Sequence, residues 1–101
     1  MFQSPIRANL SMPSANICGN RVKLVREKNG LQQVELAVAL NGDFSLKLDQ
    51  SDISEIERGV RSIKDFELNA LAHVLRVSPS WLLRGDEDTG GQLDGKDTKE
   101  D

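Results

Sequence analysis

Apolar side chains recur at helical spacing in five short stretches of the chain, and glycine ends most of them. The clearest stripe falls at i, i+3, i+4 and i+7 and consists of Leu68, Leu71, Ala72 and Leu75. Helices this short are stable only when their apolar faces pack against one another. The pattern therefore predicts an all-α fold, a compact five-helix bundle. Its helices are expected over residues 16–29, 33–40, 50–58, 65–75 and 79–84.

The third of these stretches carries a helix marker at each end. Asp49 is an N-cap candidate, because its carboxylate can accept hydrogen bonds from the free N–H groups of the first turn. Gly59 suits the position after the last turn, where the chain often takes the left-handed conformation. Between them only Ile53 and Ile56 are apolar, and their spacing places both on one face. The opposite, polar face is then either solvated or exposed for contact with a partner.

The segment before this helix is harder to assign. Residues 41–43, Asn-Gly-Asp, are typical of a turn and are expected to end the second helix. The weakly alternating residues 44–48 fit either an extended segment or a continuation of that helix. We interpret them as a connector that tucks Phe44, Leu46 or Leu48 under the domain.

Several runs of residues resemble the XRE (Cro/C1-type) helix-turn-helix family, which includes the lambdoid phage repressors. The most specific is the run from Ile53 to Gly59, Ile-Ser-Glu-Ile-Glu-Arg-Gly. Similar family segments before and after it are Arg21-Val22-Lys23, Gly30-Leu31, Glu35-Leu36-Ala37 and Trp81-Leu82-Leu83. The resemblance covers about residues 16–85, and it implies the lambda-repressor-like DNA-binding fold.

This resemblance also implies a function, sequence-specific binding of double-stranded DNA by a transcriptional repressor. In such proteins the helix matching residues 50–58 enters the major groove. The expected base contacts are Gln50, Ser51, Ser54 and Glu55. The expected phosphate contacts are Gln33, Arg58, Arg61 and Lys64. The family also implies a structural ion pair between Arg26 and Glu57.

Two features depart from the family pattern. Gln32 stands where a serine or threonine usually caps the second helix, and the link from Leu40 to Asp49 is longer than the tight turn of the phage repressors. The recognition surface also carries Asp52 and Glu55. Acidic groups repel phosphates, unless they accept a hydrogen bond from the amino group of cytosine.

The net charge of −3 comes from one end of the chain. Residues 86–101 contain seven acidic side chains and two lysines, and we predict that they form a disordered acidic tail. Residues 1–15 lack a helical period and are expected to be a flexible N-terminal arm. The domain between them, residues 16–85, is only weakly basic, less so than a strong non-specific DNA binder.

This charge balance keeps an alternative open. The same fold also serves as an antitoxin or another protein-interaction module, and the weakly basic domain and the acidic tail favour a possible protein partner slightly. A homodimer is expected in either case, since the last helix offers Trp81, Leu82 and Leu83. Burial of part of that surface in the monomer core is the competing explanation.

An enzyme is not expected. His73 is the only histidine, and helical spacing places it opposite the apolar stripe. Cys18 is the only cysteine, which rules out an internal disulfide and fits a reducing compartment. No metal-ligand spacing or phosphate-binding glycine loop is present, so we predict no metal and no cofactor. Without an apolar run long enough to span a membrane or a signal peptide, the protein is expected to be cytoplasmic.

Overall fold

The computed structural model describes residues 14–85, which form five α-helices. The helices are α1 (Gly19–Lys28), α2 (Gln33–Phe44), α3 (Gln50–Arg58), α4 (Asp65–Leu75) and α5 (Pro79–Arg84). The all-α fold predicted from the sequence is confirmed. The predicted acidic tail and all but residues 14 and 15 of the predicted N-terminal arm lie outside the described residues.

Helix α2 differs from its prediction. The expected stop at residues 41–43 is wrong, because the helix continues to Phe44 and ends at Ser45, whose φ of 57° is left-handed. Asn41 explains the difference. Its Nδ2 donates to the carbonyl of Leu48 at 2.7 Å, and its Oδ1 accepts from the N–H of Leu48 at 2.9 Å. The side chain therefore binds the connector while its own backbone stays helical.

The connector itself follows the interpretation made from the sequence. Leu48 is buried, and Phe44 and Leu46 are half-buried against the core. Residues 45–49 are not helical, so the chain leaves α2 and reaches the start of α3 through a five-residue connector. The two hydrogen bonds between the Asn41 side chain and the Leu48 backbone hold this connector against the end of α2.

The core is formed by the apolar faces of all five helices. Its fully buried large side chains are Val22, Leu36, Leu40, Ile53, Ile56, Leu71, Leu75 and Leu82. Helix α3 packs on α1 and α2, α4 packs on both of those, and α5 packs on α4. This arrangement buries one face of α3 and leaves its other face at the surface of the bundle.

Helix α5 is capped by Ser78, whose hydroxyl accepts from the N–H of Trp81 at 3.0 Å, and Pro79 takes the first helical position. Leu82 is fully buried in the monomer, whereas Leu83 is 39% exposed. The monomer core therefore buries part of the apolar surface that we expected from the sequence to form a dimer contact. Among residues 14–85, no helix is both long and apolar enough to cross a membrane.

Candidate nucleic-acid interface

Helix α3 is built by the local signals at its two ends. The Asp49 carboxylate accepts from the N–H of Asp52 at 2.9 Å, and the Asp52 carboxylate accepts from the N–H of Asp49 at 2.9 Å. The bond from the N–H of Asp52 is the largest cause of the lowered pKa of Asp49, followed by one from the Ser51 hydroxyl. At the other end Gly59 has a φ of 77°, a conformation that favours glycine. The predicted N-cap and C-terminal glycine are therefore both present.

The two faces of α3 differ as the sequence predicted. Ile53 and Ile56 are fully buried. Gln50, Ser51 and Arg58 are exposed. Ser54 and Glu55, the other two predicted base contacts, are half-buried. Helix α3 thus anchors itself by two isoleucines and presents a continuous polar face.

Behind this polar face lies a buried ion pair. Arg26 of α1 donates through Nε to Glu57 Oε2 at 2.6 Å and through Nη2 to Glu57 Oε1 at 3.0 Å. The two side chains are 9% and 3% exposed. The hydrogen bond to Glu57 is the largest cause of the raised pKa of Arg26. The pair predicted from the family resemblance therefore joins α1 to the last turn of α3.

The ion pair continues to the surface through two glutamines. Gln33 donates through Nε2 to Glu57 Oε1 at 3.0 Å, and Gln50 donates through Nε2 to Gln33 Oε1 at 3.3 Å. Arg26 also donates through Nη1 to the carbonyl of Leu31 at 2.7 Å, just before α2. Hydrogen bonding thus links α1, α2 and α3 in one network, from the buried Arg26 to the exposed Gln50. We call it the recognition network.

A second charged cluster holds the loop after α3. Arg61 donates through Nη1 and Nη2 to the two carboxylate oxygens of Glu67, at 2.9 and 3.0 Å. Its Nε lies 3.8 Å from Asp52 Oδ1. Glu67 Oε1 also accepts from the N–H of Lys64 at 3.0 Å, at the start of α4. We call these four residues the loop cluster.

Electrostatics in the loop cluster favours the ionised forms. The hydrogen bond from Arg61 is the largest cause of the lowered pKa of Glu67, and that same bond raises the pKa of Arg61. Arg61, a predicted phosphate contact, therefore has its guanidinium occupied within the domain. Lys64, which was also predicted to contact phosphate, is exposed. Glu67 stands at the third position of α4, the spacing of a capping box, and that local signal was available in the sequence.

Asn16 and Gly19 are two positioning residues that sequence reasoning missed. Asn16 accepts from the N–H groups of Cys18 and Gly19, and it donates through Nδ2 to the carbonyls of Ile56 at 3.0 Å and Arg61 at 2.8 Å. Gly19 lies against the end of α3, where a Cβ would overlap the carbonyl oxygens of Ile56 and Glu57. An Asn three residues before a helix glycine was the available signal. The start of α1 therefore binds the end of α3 through the hydrogen bonds of Asn16 and the close approach at Gly19.

The remaining candidate groups bring no further chemistry to this face. His73 is exposed and its ring lies edge-on to Phe44, with centroids 5.3 Å apart. Cys18 is buried, and burial raises the pKa of its thiol. Within residues 14–85, the structure holds no group of three or more histidine, cysteine, aspartate and glutamate side chains that could bind a metal ion.

Comparisons with known proteins agree with this arrangement. A family model described as helix-turn-helix matches residues 22–82. The HTH-type transcriptional regulator DicA of Escherichia coli (strain K12) is 37% identical over 70 residues, which are 69% of this chain and 47% of DicA. The chain thus spans about half the length of this curated relative. The residues that the family model matches include α3 and the recognition network.

A solved structure is also similar. It is the crystal structure of the P22 c2 repressor protein in complex with synthetic operator 9T in the presence of Tl+. The TM-score is 0.60 and the identity 28%, over 70% of this chain and 98% of that chain. The similarity therefore extends over nearly the whole of the repressor chain in that complex.

Proposed function

Because the chain belongs to the helix-turn-helix family of the XRE (Cro/C1) type, we propose that it binds double-stranded DNA sequence-specifically and acts as a transcriptional repressor. The observation that carries the proposal is the two-faced α3. Its isoleucine face is fully buried, and its polar face is exposed, in a domain similar to a repressor solved with its operator. The proposed role is binding without catalysis, in the cytoplasm, where the free thiol of Cys18 stays reduced.

The proposed reading of bases relies on the first turns of α3. Gln50 is exposed, and its amide is suited to a bidentate contact with adenine in the major groove. Its amide nitrogen donates a hydrogen bond to Gln33, so the side chain is partly oriented before DNA binds. Ser51 and Ser54 suit either base, and Glu55 suits the amino group of cytosine.

Phosphate contacts supply most of the affinity in this proposal, and they make it dependent on salt. Arg58 and Lys64 provide exposed positive charge on either side of the loop. Gln33 provides a polar contact at the start of α2. We propose that Arg61 holds the loop in place and does not contact phosphate, because its guanidinium is paired with Glu67.

We further propose a homodimer. Two copies would present their α3 helices to major-groove faces about 34 Å apart, on a near-palindromic site. The surface proposed for the contact is the apolar cleft of about 300 Å³ that Ile17, Ile63, Leu68 and Leu83 help to line. Ile17 is 68% exposed in the monomer, which leaves apolar area for a second copy to cover.

The test is a fluorescence-anisotropy titration with DNA from immediately upstream of the protein's own reading frame. Scrambled DNA of the same length is the control, and two salt concentrations are used. Tight, salt-sensitive binding that prefers the native sequence is expected. Gln50→Ala should reduce this preference by about 1–3 kcal/mol, because it removes a bidentate base contact. The unfolding midpoint should not change.

Asn69→Ala provides a matched control, since Asn69 is also an exposed amide but lies on α4. It should keep the preference of the wild type. Equal affinity for native and scrambled DNA, in the wild type and in Gln50→Ala alike, would overturn sequence-specific binding.

A further inference from the structure

A polar groove of about 390 Å³ lies between α1, the start of α2 and α3. Its lining residues are Asn20, Lys23, Gln33, Ser54, Glu57 and Arg58. Three of them belong to the proposed DNA contacts, so the groove opens on the same side of the domain. Asn20 and Lys23 belong to α1, so this helix also contributes to the surface. Neither the sequence patterns nor the family resemblance assigned α1 to it.

The groove carries net positive charge that is free to act. Its one carboxylate, Glu57, is neutralised by Arg26 and also accepts from Gln33. Lys23 is exposed, and no acidic side chain among residues 14–85 lies within ion-pair distance of it. Arg58 is exposed, and within the described part of the chain its one hydrogen-bond acceptor is the hydroxyl of Ser54, at 3.3 Å. An anion entering the groove would therefore meet two unneutralised cations.

The neutral groups around these cations suit an oxyanion. Asn20 and Ser54 can both donate hydrogen bonds to phosphate oxygens. The groove is more than ten times as large as the volume of one liquid water, about 30 Å³, so a phosphodiester group fits. DNA lying on α3 carries its backbone along the rims of the major groove, where an adjacent phosphate would face α1.

We propose that Lys23 of α1, with Asn20, binds a DNA backbone phosphate in this groove. The inference rests on the DNA binding proposed above and adds a contact to it. Lysine contributes as a compact point charge, so the contact strengthens binding without selecting a sequence. Helix α1 then has two roles, since Arg26 supports α3 from within while Lys23 contacts the DNA directly.

The experiment compares Lys23→Gln with Lys28→Gln by anisotropy titration across salt concentrations, on the upstream duplex and its scrambled control. Each lost phosphate contact should reduce the slope of log affinity against log salt by about 0.9. Between about 50 and 200 mM salt, the ratio of the Lys23→Gln Kd to the wild-type Kd should therefore fall about 3.5-fold. The ratio should be the same on both duplexes.

Lys28→Gln is the matched control, because it removes the same charge from an exposed lysine of the same helix that does not line the groove. It should keep the wild-type slope. Equal slopes for the wild type and both variants would overturn the role of Lys23 and leave the DNA-binding proposal intact. Absence of binding by the wild type would overturn the proposed function, and the phosphate contact with it.

Discussion

Arg26 and Arg61 each bind a carboxylate in two places, yet they support different parts of the domain. Arg26 pairs with Glu57 behind α3, and its network continues through Gln33 to the exposed Gln50. Arg61 pairs with Glu67 beyond the end of α3, and its cluster stays between the loop and the start of α4. The same chemistry thus orients the exposed Gln50 in one place and fixes a loop in the other.

Burial separates the two pairs as well. The Arg26 side chain is 9% exposed, against 23% for Arg61. Water reaches Arg61 and screens its pair with the buried Glu67, whereas both partners of the Arg26–Glu57 pair are buried and depend on each other. We therefore expect removal of one partner to cost most stability in the recognition network and less in the loop cluster.

The largest effect is expected for Glu57→Ala. This variant leaves the Arg26 guanidinium buried without its carboxylate, which should lower the free energy of unfolding by roughly 3–5 kcal/mol. Urea unfolding followed by circular dichroism measures it. The double variant Arg26→Met/Glu57→Leu should recover much of the loss, because apolar side chains replace a buried pair well. A loss below about 1 kcal/mol in Glu57→Ala, the size typical of surface pairs, would contradict the burial.

The second effect concerns the close approach of α1 to α3 at Gly19. Gly19→Ala inserts a methyl group against the carbonyls of Ile56 and Glu57, and α1 must shift away. We expect a loss of about 1–3 kcal/mol, as for other overpacked sites. The shift should disturb the recognition network, which joins these two helices.

Gly42→Ala is the control for that variant. Gly42 lies within α2, and a Cβ there would meet nothing within 4 Å. Alanine should therefore stabilise the protein by about 0.5–1 kcal/mol through the lower entropy of its backbone in the unfolded state. Thermal unfolding of both variants checks the pair. Stabilisation of both would show that α1 and α3 do not touch at Gly19.

The sequence predicted the elements better than the contacts between them. Helix α4 was predicted at its observed bounds, and the two caps of α3 were predicted from Asp49 and Gly59. Caps act within one turn, so neighbouring residues are enough to identify them. Asn41 shows the limit, because its partner Leu48 is seven residues away and changes what a turn-forming triplet does.

Among the site residues, only the family resemblance reached beyond local signals. Arg26 and Glu57 lie 31 residues apart, and their pairing came from the resemblance rather than from spacing. Neither the local signals nor the family resemblance indicated that Glu67 pairs with Arg61. An arginine at this position is equally typical of a phosphate contact. Which carboxylate an arginine meets depends on how the loop turns, and packing of the whole bundle determines that.

The smallest effect is expected for Glu67→Gln, which keeps the shape of the side chain and removes its charge. The pKa of Glu67 is lowered in the folded protein, so its contribution to stability is fully present above the pKa of the unfolded state, about 4.3 for glutamate. That contribution is lost as the pH falls through the lower, folded pKa. Urea unfolding near neutral pH should show a loss of about 1–2 kcal/mol, between the values for surface pairs and for buried charged hydrogen bonds.

The pH dependence of stability tests whether the charge of Glu67 holds the loop cluster. Because glutamine cannot titrate, the difference in stability between the wild type and Glu67→Gln should shrink as the pH falls below about 4.3. Glu27→Gln is the control, since its carboxylate is 58% exposed and lies 3.8 Å from Arg26. Near neutral pH it should have nearly the stability of the wild type, because exposed pairs contribute little. A difference for Glu67→Gln that stays constant at every pH would mean that its charge does not hold the loop, and Arg61 would then be free to contact phosphate.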